Sequence, residues 1–237
     1  MLIIARESVP KLIFCLLLIA VAVCAVVALR QEKDRVEAFE AVMSGTVVLD
    51  PGHGGFDGGA ISDDGTKESD LNLSIALRAK EIAELLGLET VMTRENDSAR
   101  TDFASYSEHE DLVHRASIVN AIPGAILLSI HQNDFPTGQP SGAQVLYAAD
   151  AQSEKLGKLM HTNLIGLLDP ENRRVAEPAP RSLYLTSHVS CPAVLVECGF
   201  MSNNFEVLKL CDLNYQCELA VVLIGSLMQY MNTSEQS

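Results

Sequence analysis

The sequence predicts a single α/β domain with one mostly parallel, twisted sheet and helices on both faces, preceded by a hydrophobic N-terminal helix. Apolar runs such as 47–49, 125–130 and 192–198 alternate with segments of helical periodicity. That alternation is typical of strands joined by crossover helices. The runs also lack polar alternation, which indicates strands buried on both faces.

The N-terminal segment differs in composition from the rest of the chain. Residues 12–29 form an unbroken run of 18 apolar or small residues, preceded by Arg6 and Lys11. A bilayer-spanning helix needs about 20 such residues. We therefore expect residues 1–30 to be a signal peptide or a membrane anchor and residues 31–44 to be a linker. Both alternatives place the domain, residues 45–233, outside the cytoplasm; a buried core helix is the third alternative.

The charge balance excludes one class of partner. The chain has a formal net charge of −14, and residues 1–30 carry +2, so residues 31–237 carry −16. Such an acidic body repels phosphate backbones, and we therefore expect no nucleic-acid partner. No Cys-x-x-Cys pair is present, which argues against zinc-finger and thioredoxin-type sites.

The elements of the domain are predicted in order from these patterns. The first strand ends in a Pro-Gly turn and a glycine-rich loop, and the first helix follows with Ser69 or Asp70 as its N-cap. Ser107 and Glu110 form a capping box for the second helix. The remaining predicted strands are 88–93, 125–130, 143–147, 182–185 and 192–198, and the remaining helices are 150–168, 205–210 and 213–231.

Polar residues end or adjoin three of the apolar strands. His53 follows the first strand, His131 follows strand 125–130, and Glu197 lies inside an otherwise apolar run. Glu68 begins the first helix, beside the glycine-rich loop that holds His53. Carboxyl ends of parallel strands meet at one edge of a sheet, which is the usual place for a site.

These four residues are the groups that a hydrolytic zinc centre requires. Two imidazoles and one carboxylate are a known ligand set that leaves one zinc position for water, and a further carboxylate can move the proton of that water. Two alternatives stay open. His53 can belong to a solvent-exposed turn, and Glu197 can be a buried partner of Arg115 or Arg94.

Four ordered segments resemble the zinc-dependent N-acetylmuramoyl-L-alanine amidases of the bacterial cell wall. They comprise LDPGHGG at 49–55 with Asp57 and Gly-Gly-Ala at 58–60, Glu68 before its helix, Ser-Ile-His at 129–131 with Asn133, and PAVLVECGFMSN at 192–203. The similarity extends over about 45–231, nearly the whole domain. The single-domain layout with an N-terminal leader resembles the germination-specific branch of this family.

The resemblance implies a set of roles and partners. It implies one Zn²⁺ per chain held by His53, Glu68 and His131, with Glu197 as the general base. It further implies that Asn133 and Arg115 bind substrate, and that this substrate is peptidoglycan of the spore cortex. N-terminal membrane anchoring is one of the two expectations for residues 1–30, and activation, if the enzyme needs it, would require a separate protein. The alternatives are an inactive peptidoglycan-binding protein of the same fold and a zinc peptidase that cuts within the stem peptide.

Overall fold

The computed structural model describes residues 24–33, 45–98, 102–136 and 140–234. The chain divides into two units, 1–42 and 43–237. Within the first unit, residues 24–33 are helical, while most of the predicted hydrophobic segment 12–29 and of the linker lies outside the described residues. Among the helices that the structure describes, none has both the length and the hydropathy needed to cross a bilayer.

The second unit is built on a six-stranded sheet in the order β2-β1-β3-β6-β4-β5. The strands are β1 (Val47–Pro51), β2 (Thr90–Met92), β3 (Ile126–Asn133), β4 (Gln144–Tyr147), β5 (Glu177–Pro178) and β6 (Ala193–Phe200). All neighbouring pairs are parallel except β4 and β6, which are antiparallel. This confirms the predicted, mostly parallel sheet.

Helices cover both faces of this sheet, as predicted. They are α1 (Glu68–Leu85), α2 (Glu108–Asn120), α3 (Ala151–Leu168), α4 (Tyr184–His188), α5 (Asn204–Cys211) and α6 (Leu213–Ser234). Helices α1 and α3 both pack against α6. On the other face, α2 and α4 pack on Val48, Leu127 and Ala193, which are buried. The two layers bury the central strands, and only their carboxyl ends open towards a cleft.

Two local predictions are wrong. Residues 182–185 are not a strand: the segment turns into α4, and β4 pairs with β5 and β6 instead. The first helix has no side-chain cap at Ser69 or Asp70. Its first N–H groups, those of Glu68 and Ser69, donate to the loop carbonyls of Ala60 and Gly58 at 2.9 and 3.1 Å. By contrast, Ser107 does cap α2, accepting a hydrogen bond from the Glu110 N–H.

Candidate metal centre

The structure brings His53, Glu68 and His131 together at the carboxyl edge of the sheet, and we call these three residues the metal centre. One ligand atom from each lies within 4.8 Å of the others. Glu68 Oε1 is 3.3 Å from His53 Nε2 and 3.0 Å from His131 Nδ1. The three residues come from the loop after β1, the first turn of α1 and β3, so only the folded sheet assembles them.

Glycines allow this close approach. A Cβ atom at Gly52 would lie 2.1 Å from the His131 ring, and one at Gly59 would lie 2.6 Å from Glu68 Oε2. No side chain fits at either position. His53 itself adopts φ 60, a left-handed conformation that is uncommon outside glycine and is held only where its surroundings demand it.

Two arginines hold the strained loop in place. Arg115 Nη2 donates to the His53 carbonyl at 2.6 Å, and its Nη1 donates to the Pro51 carbonyl at 2.9 Å. Arg94 donates to the carbonyls of Pro51 and Gly52 at 2.9 and 3.0 Å. These backbone carbonyls lie in the turn after β1, and the two guanidinium groups give them hydrogen-bond donors, which buried carbonyls require.

Hydrogen bonds also fix Glu68, which is 3% exposed. Its Oε2 accepts from the Ala60 N–H at 3.0 Å, and its Oε1 accepts from the Gln132 N–H at 3.1 Å and from Asn72 Nδ2 at 3.2 Å. Burial would raise the pKa of Glu68, but the two histidines outweigh it and hold that pKa far below its usual range. Glu68 is therefore an ionised carboxylate in a fixed orientation, as a metal ligand would need to be.

Two residues beside the metal centre were not predicted to have a role. Asp57 Oδ2 lies 2.6 Å from His53 Nδ1, the carboxylate contact that typically orients a metal-binding imidazole. Asn72, fully buried, donates to the Gly52 carbonyl and to Glu68 and accepts from Gln132 Nε2. Asn72 lies one helical turn after Glu68, a spacing that places both side chains on the same face of α1.

The metal centre has a strongly negative surrounding. Burial would lower the pKa of His53, but the carboxylates of Asp57 and Glu68 raise it to about 10. In the protein alone, His53 therefore holds a positive charge between two acids. A divalent cation bound by Nε2 would replace the proton that faces Glu68, while Nδ1–H would still donate to Asp57.

Glu197 lies beside the metal centre as the register neighbour of His131 across β3 and β6. Its Oε2 is buried and has no hydrogen-bond partner among the described residues. Burial, with the nearby charge of Glu68, raises the pKa of Glu197 to about 7 despite the opposing effect of the histidines. This carboxyl group can therefore both accept and release a proton near neutral pH.

Glu197 does not form the alternative salt bridge with Arg115 or Arg94. The Arg115 guanidinium is occupied by Asp50 at 2.8 Å and Asp111 at 2.7 Å. Arg94 donates to backbone carbonyls only. Both arginines therefore bind the loop and the residues that support it. Glu197 lines the cleft, and its buried Oε2 is unpaired within the described part of the chain.

A cleft of about 290 Å³ opens over these residues. Besides the metal centre and Glu197, its wall includes Asn133 and one side of α4 around Tyr184. Arg115 also borders the cleft, but its side chain is 7% exposed and its hydrogen bonds go to protein groups.

The donor set fits a single zinc ion. Zinc sites combine imidazole nitrogen and carboxylate oxygen at about 2.1 Å, so that tetrahedral ligands lie roughly 3.4 Å apart. The Glu68 oxygen lies at 3.3 and 3.0 Å from the two histidine nitrogens. Three protein donors would leave one zinc position for water or substrate, as catalytic sites require.

A parallel-sheet edge that carries two histidines, one ligating carboxylate and one unpaired carboxylate defines a candidate metal-dependent hydrolase. The family model for N-acetylmuramoyl-L-alanine amidase (Amidase_3) matches residues 47–227. The chain therefore belongs to the N-acetylmuramoyl-L-alanine amidase family, which confirms the resemblance drawn from its motifs.

Curated relatives and solved structures agree with this membership. The germination-specific N-acetylmuramoyl-L-alanine amidase of Bacillus subtilis is 35% identical over 199 residues, which are 79% of this chain and 81% of that protein. The amidase LytC of the same organism is 30% identical over 80% of this chain, but this chain covers only 36% of LytC. The CwlD amidase of Clostridioides difficile, solved in complex with the GerS lipoprotein, has a TM-score of 0.75 at 33% identity, covering 80% of this chain and 100% of that one.

Proposed function

We propose that this chain is a zinc-dependent amidase that hydrolyses the bond between N-acetylmuramic acid and L-alanine in peptidoglycan. The observation that carries the proposal is the unpaired, buried Oε2 of Glu197 beside His53, Glu68 and His131. A buried carboxylate without a partner is costly. A role in proton transfer next to a bound cation would explain why a carboxylate occupies this buried position.

Each residue has a distinct part in the proposed reaction. His53, Glu68 and His131 would hold one Zn²⁺, which when bound makes water a nucleophile at neutral pH and polarises the substrate carbonyl. Glu197, with a pKa of about 7, accepts the proton of the attacking water and passes it to the leaving amine of L-alanine. Asp57 keeps the His53 ring turned towards the metal.

Two further residues are proposed to serve substrate binding. Asn133 lines the cleft beyond His131, and its side-chain amide can contact the peptide or the lactyl group. Arg115 acts through the loop, because the carbonyls of Pro51 and His53 take its hydrogen bonds. We therefore assign its contribution to the shape of the substrate site.

The biological setting is proposed from the relatives. Two similar proteins support spore-cortex peptidoglycan as the substrate. One is the germination-specific amidase of Bacillus subtilis, and the other is the CwlD amidase, whose structure is similar to this one. Residues 45–233 would be the catalytic domain, exported or anchored by residues 1–30. The neighbour was solved with the GerS lipoprotein, which supports a protein partner for this chain too.

Metal analysis with product identification tests this function. Residues 31–237 are loaded with zinc and incubated with muropeptides, and the products are identified by mass spectrometry. We expect one zinc per chain and release of the whole stem peptide, leaving a free lactyl carboxylate. Glu68→Ala should lose bound zinc, whereas Glu81→Ala on the outer side of the same helix should retain it.

The same experiment separates the two alternatives. Glycan binding without release of peptide would show an inactive binding protein of the same fold. Cleavage between amino acids of the stem peptide would show a peptidase. Zinc stoichiometry unchanged in Glu68→Ala would remove Glu68 from the ligand set.

A further inference from the structure

Arg174 belongs to the proline- and arginine-containing segment 169–181, to which the proposed reaction assigns no role. Its guanidinium is fixed by three contacts. Nε donates to the Ser141 carbonyl at 3.0 Å, Nη1 donates to Gln144 Oε1 at 3.0 Å, and Cζ lies 4.4 Å from the centre of the buried Phe200 ring. A guanidinium held in this way loses little further freedom when it binds a ligand.

Arg174 lies near the reacting edge of the sheet. Gln144, which accepts one of its hydrogen bonds, is the register partner of Glu197 across β4 and β6. Directly opposed residues point to the same face, with Cβ atoms about 5 Å apart. The Arg174 charge is also close enough to lower the pKa of Glu197, against the larger effect of burial.

The guanidinium keeps an unused donor. Nη2 of Arg174 has no hydrogen-bond partner among the described residues, whereas the three donor nitrogens of Arg115 are all engaged. Arg174 does not line the cleft itself; it borders a separate surface depression with Pro140 and Asp169. Apart from Arg115 and the histidines, the charged residues that line the cleft are acidic: Asp50, Asp57, Glu68, Glu108, Asp111, Asp134 and Glu197. A cation with a free donor therefore stands beside a site whose own charge repels anions.

We propose that Arg174 binds a free carboxylate of the stem peptide, within about two residues of the scissile amide. Arginine forms its strongest hydrogen bonds with carboxylates, and an extended peptide advances about 3.3 Å per residue. One such residue spans most of the step from Glu197 to Gln144, and the second continues towards the guanidinium that is hydrogen-bonded to Gln144. This inference rests on the proposed amidase function and adds a specificity determinant to it.

A pair of synthetic substrates tests the inference. Both are muramoyl tripeptides that differ only at the second residue, which carries either a free carboxylate or the corresponding amide. We expect the zinc-loaded protein to cleave the carboxylate form with a kcat/KM about tenfold or more above that of the amide form. In Arg174→Gln, kcat/KM for the carboxylate form should fall about 10- to 100-fold, mainly through KM, and the amide form should change little.

The neighbouring arginine provides a matched control. Arg173 is 73% exposed in its side chain and pairs with Glu171, so Arg173→Gln should leave the ratio between the two substrates unchanged. If Arg174→Gln does not fold, Arg174→Lys is used instead. It should lower the ratio of kcat/KM for the carboxylate substrate to that for the amide substrate, because lysine lacks the planar guanidinium with several fixed donors. Equal cleavage of both substrates by the unaltered protein, or an equal loss on both in the variants, overturns the inference. Absence of cleavage of either substrate would instead contradict the amidase function itself.

Discussion

Two polar groups of residues lie at the carboxyl edge of the same sheet, and they differ in how completely they are paired. The arginine cluster comprises Asp50, Thr93, Asp111, Arg115 and Ser129. In it, Asp50 accepts from Thr93, Arg115 and Ser129 at 2.6, 2.8 and 2.6 Å. In the metal centre with Glu197, one buried carboxylate oxygen has no partner within the described part of the chain.

The pKa values of Asp50 and Glu197 are shifted in opposite directions. Burial would raise the pKa of Asp50, but Arg115 and the two hydroxyls lower it to about 2. Burial raises the pKa of Glu197 to about 7, because no comparable donors oppose it. The complete pairing of Asp50 fits a structural role, and the unpaired oxygen of Glu197 fits the proton-transfer role proposed above.

The largest expected effect is the loss of activity in Glu197→Gln. The amide cannot accept the proton of water, so kcat should fall about 10²- to 10⁴-fold. Zinc content and unfolding free energy should stay unchanged or rise slightly, because a buried amide loses less hydration than a carboxylate. Activity is measured with muropeptides, zinc by elemental analysis and stability by urea unfolding. Loss of the metal in this variant would contradict the distinction between Glu197 and the ligands.

The arginine cluster should respond to substitution in the opposite way. Asp50→Asn leaves the Arg115 charge buried with Asp111 as its remaining acidic partner, and should reduce the unfolding free energy by about 3–5 kcal/mol. Zinc affinity of the folded fraction, measured well below the melting temperature, should change less than tenfold. Asp70→Asn, at an exposed position of α1, serves as the control and should cost under about 1 kcal/mol. A stable Asp50→Asn variant that does not bind zinc would contradict this prediction, because Asp50 would then serve metal binding and not the stability of the fold.

Asn72 shares a property with each of the two groups. Its side chain is hydrogen-bonded at both ends, as in the arginine cluster, yet it contacts the metal centre. Asn72→Ala removes the bonds to Gly52, Glu68 and Gln132, and should weaken zinc binding about 10- to 100-fold. A chelator competition assay measures this affinity. Asn172→Ala, a buried asparagine that bonds to Ala143 and Arg174, is the matched control. Equal zinc affinity in both variants would make Asn72 a purely structural residue.

The smallest predicted effect is the acid dependence of stability. The pKa of Asp50 is lowered from 3.8 to about 2 in the folded protein. Its contribution is therefore fully present above about pH 4 and is lost as the pH falls towards 2, amounting to about 2 kcal/mol. The difference in unfolding free energy between the unaltered protein and Asp50→Asn should shrink by that amount between pH 5 and pH 2. A difference independent of pH would show that Arg115 does not hold the Asp50 charge.

Much of the fold follows from the sequence because its patterns are local. Buried parallel strands give continuous apolar runs, and the Ser107 cap follows from a spacing of three residues. The strand predicted at 182–185 is wrong, because this segment leads into α4 and Glu177–Pro178 instead pair with β4 as β5. Which segment pairs with β4 is decided across the fold, and no local pattern contains it.

The residues of the candidate site also fall into two sets: those that local sequence patterns predict and those that only the fold reveals. His53, His131 and Glu197 were found because polar residues stand out in or after apolar strands, and Glu68 because it adjoins the loop. The roles suggested here for Asp57, Asn72 and Arg174 depend on distances across the fold. Asn72 looks like an ordinary polar residue of an amphipathic helix until its contacts with Gly52 and Gln132 are known.

The strand order has a consequence for how the chain assembles as it is made. Because β6 lies between β3 and β4, β4 and β5 have no place in the sheet until the chain has been synthesised past Phe200. An emerging chain therefore presents unpaired strand edges for a long interval, which invites aggregation and slows folding. The final strand to arrive also delivers Glu197, so under the proposed mechanism hydrolysis cannot precede completion of the sheet.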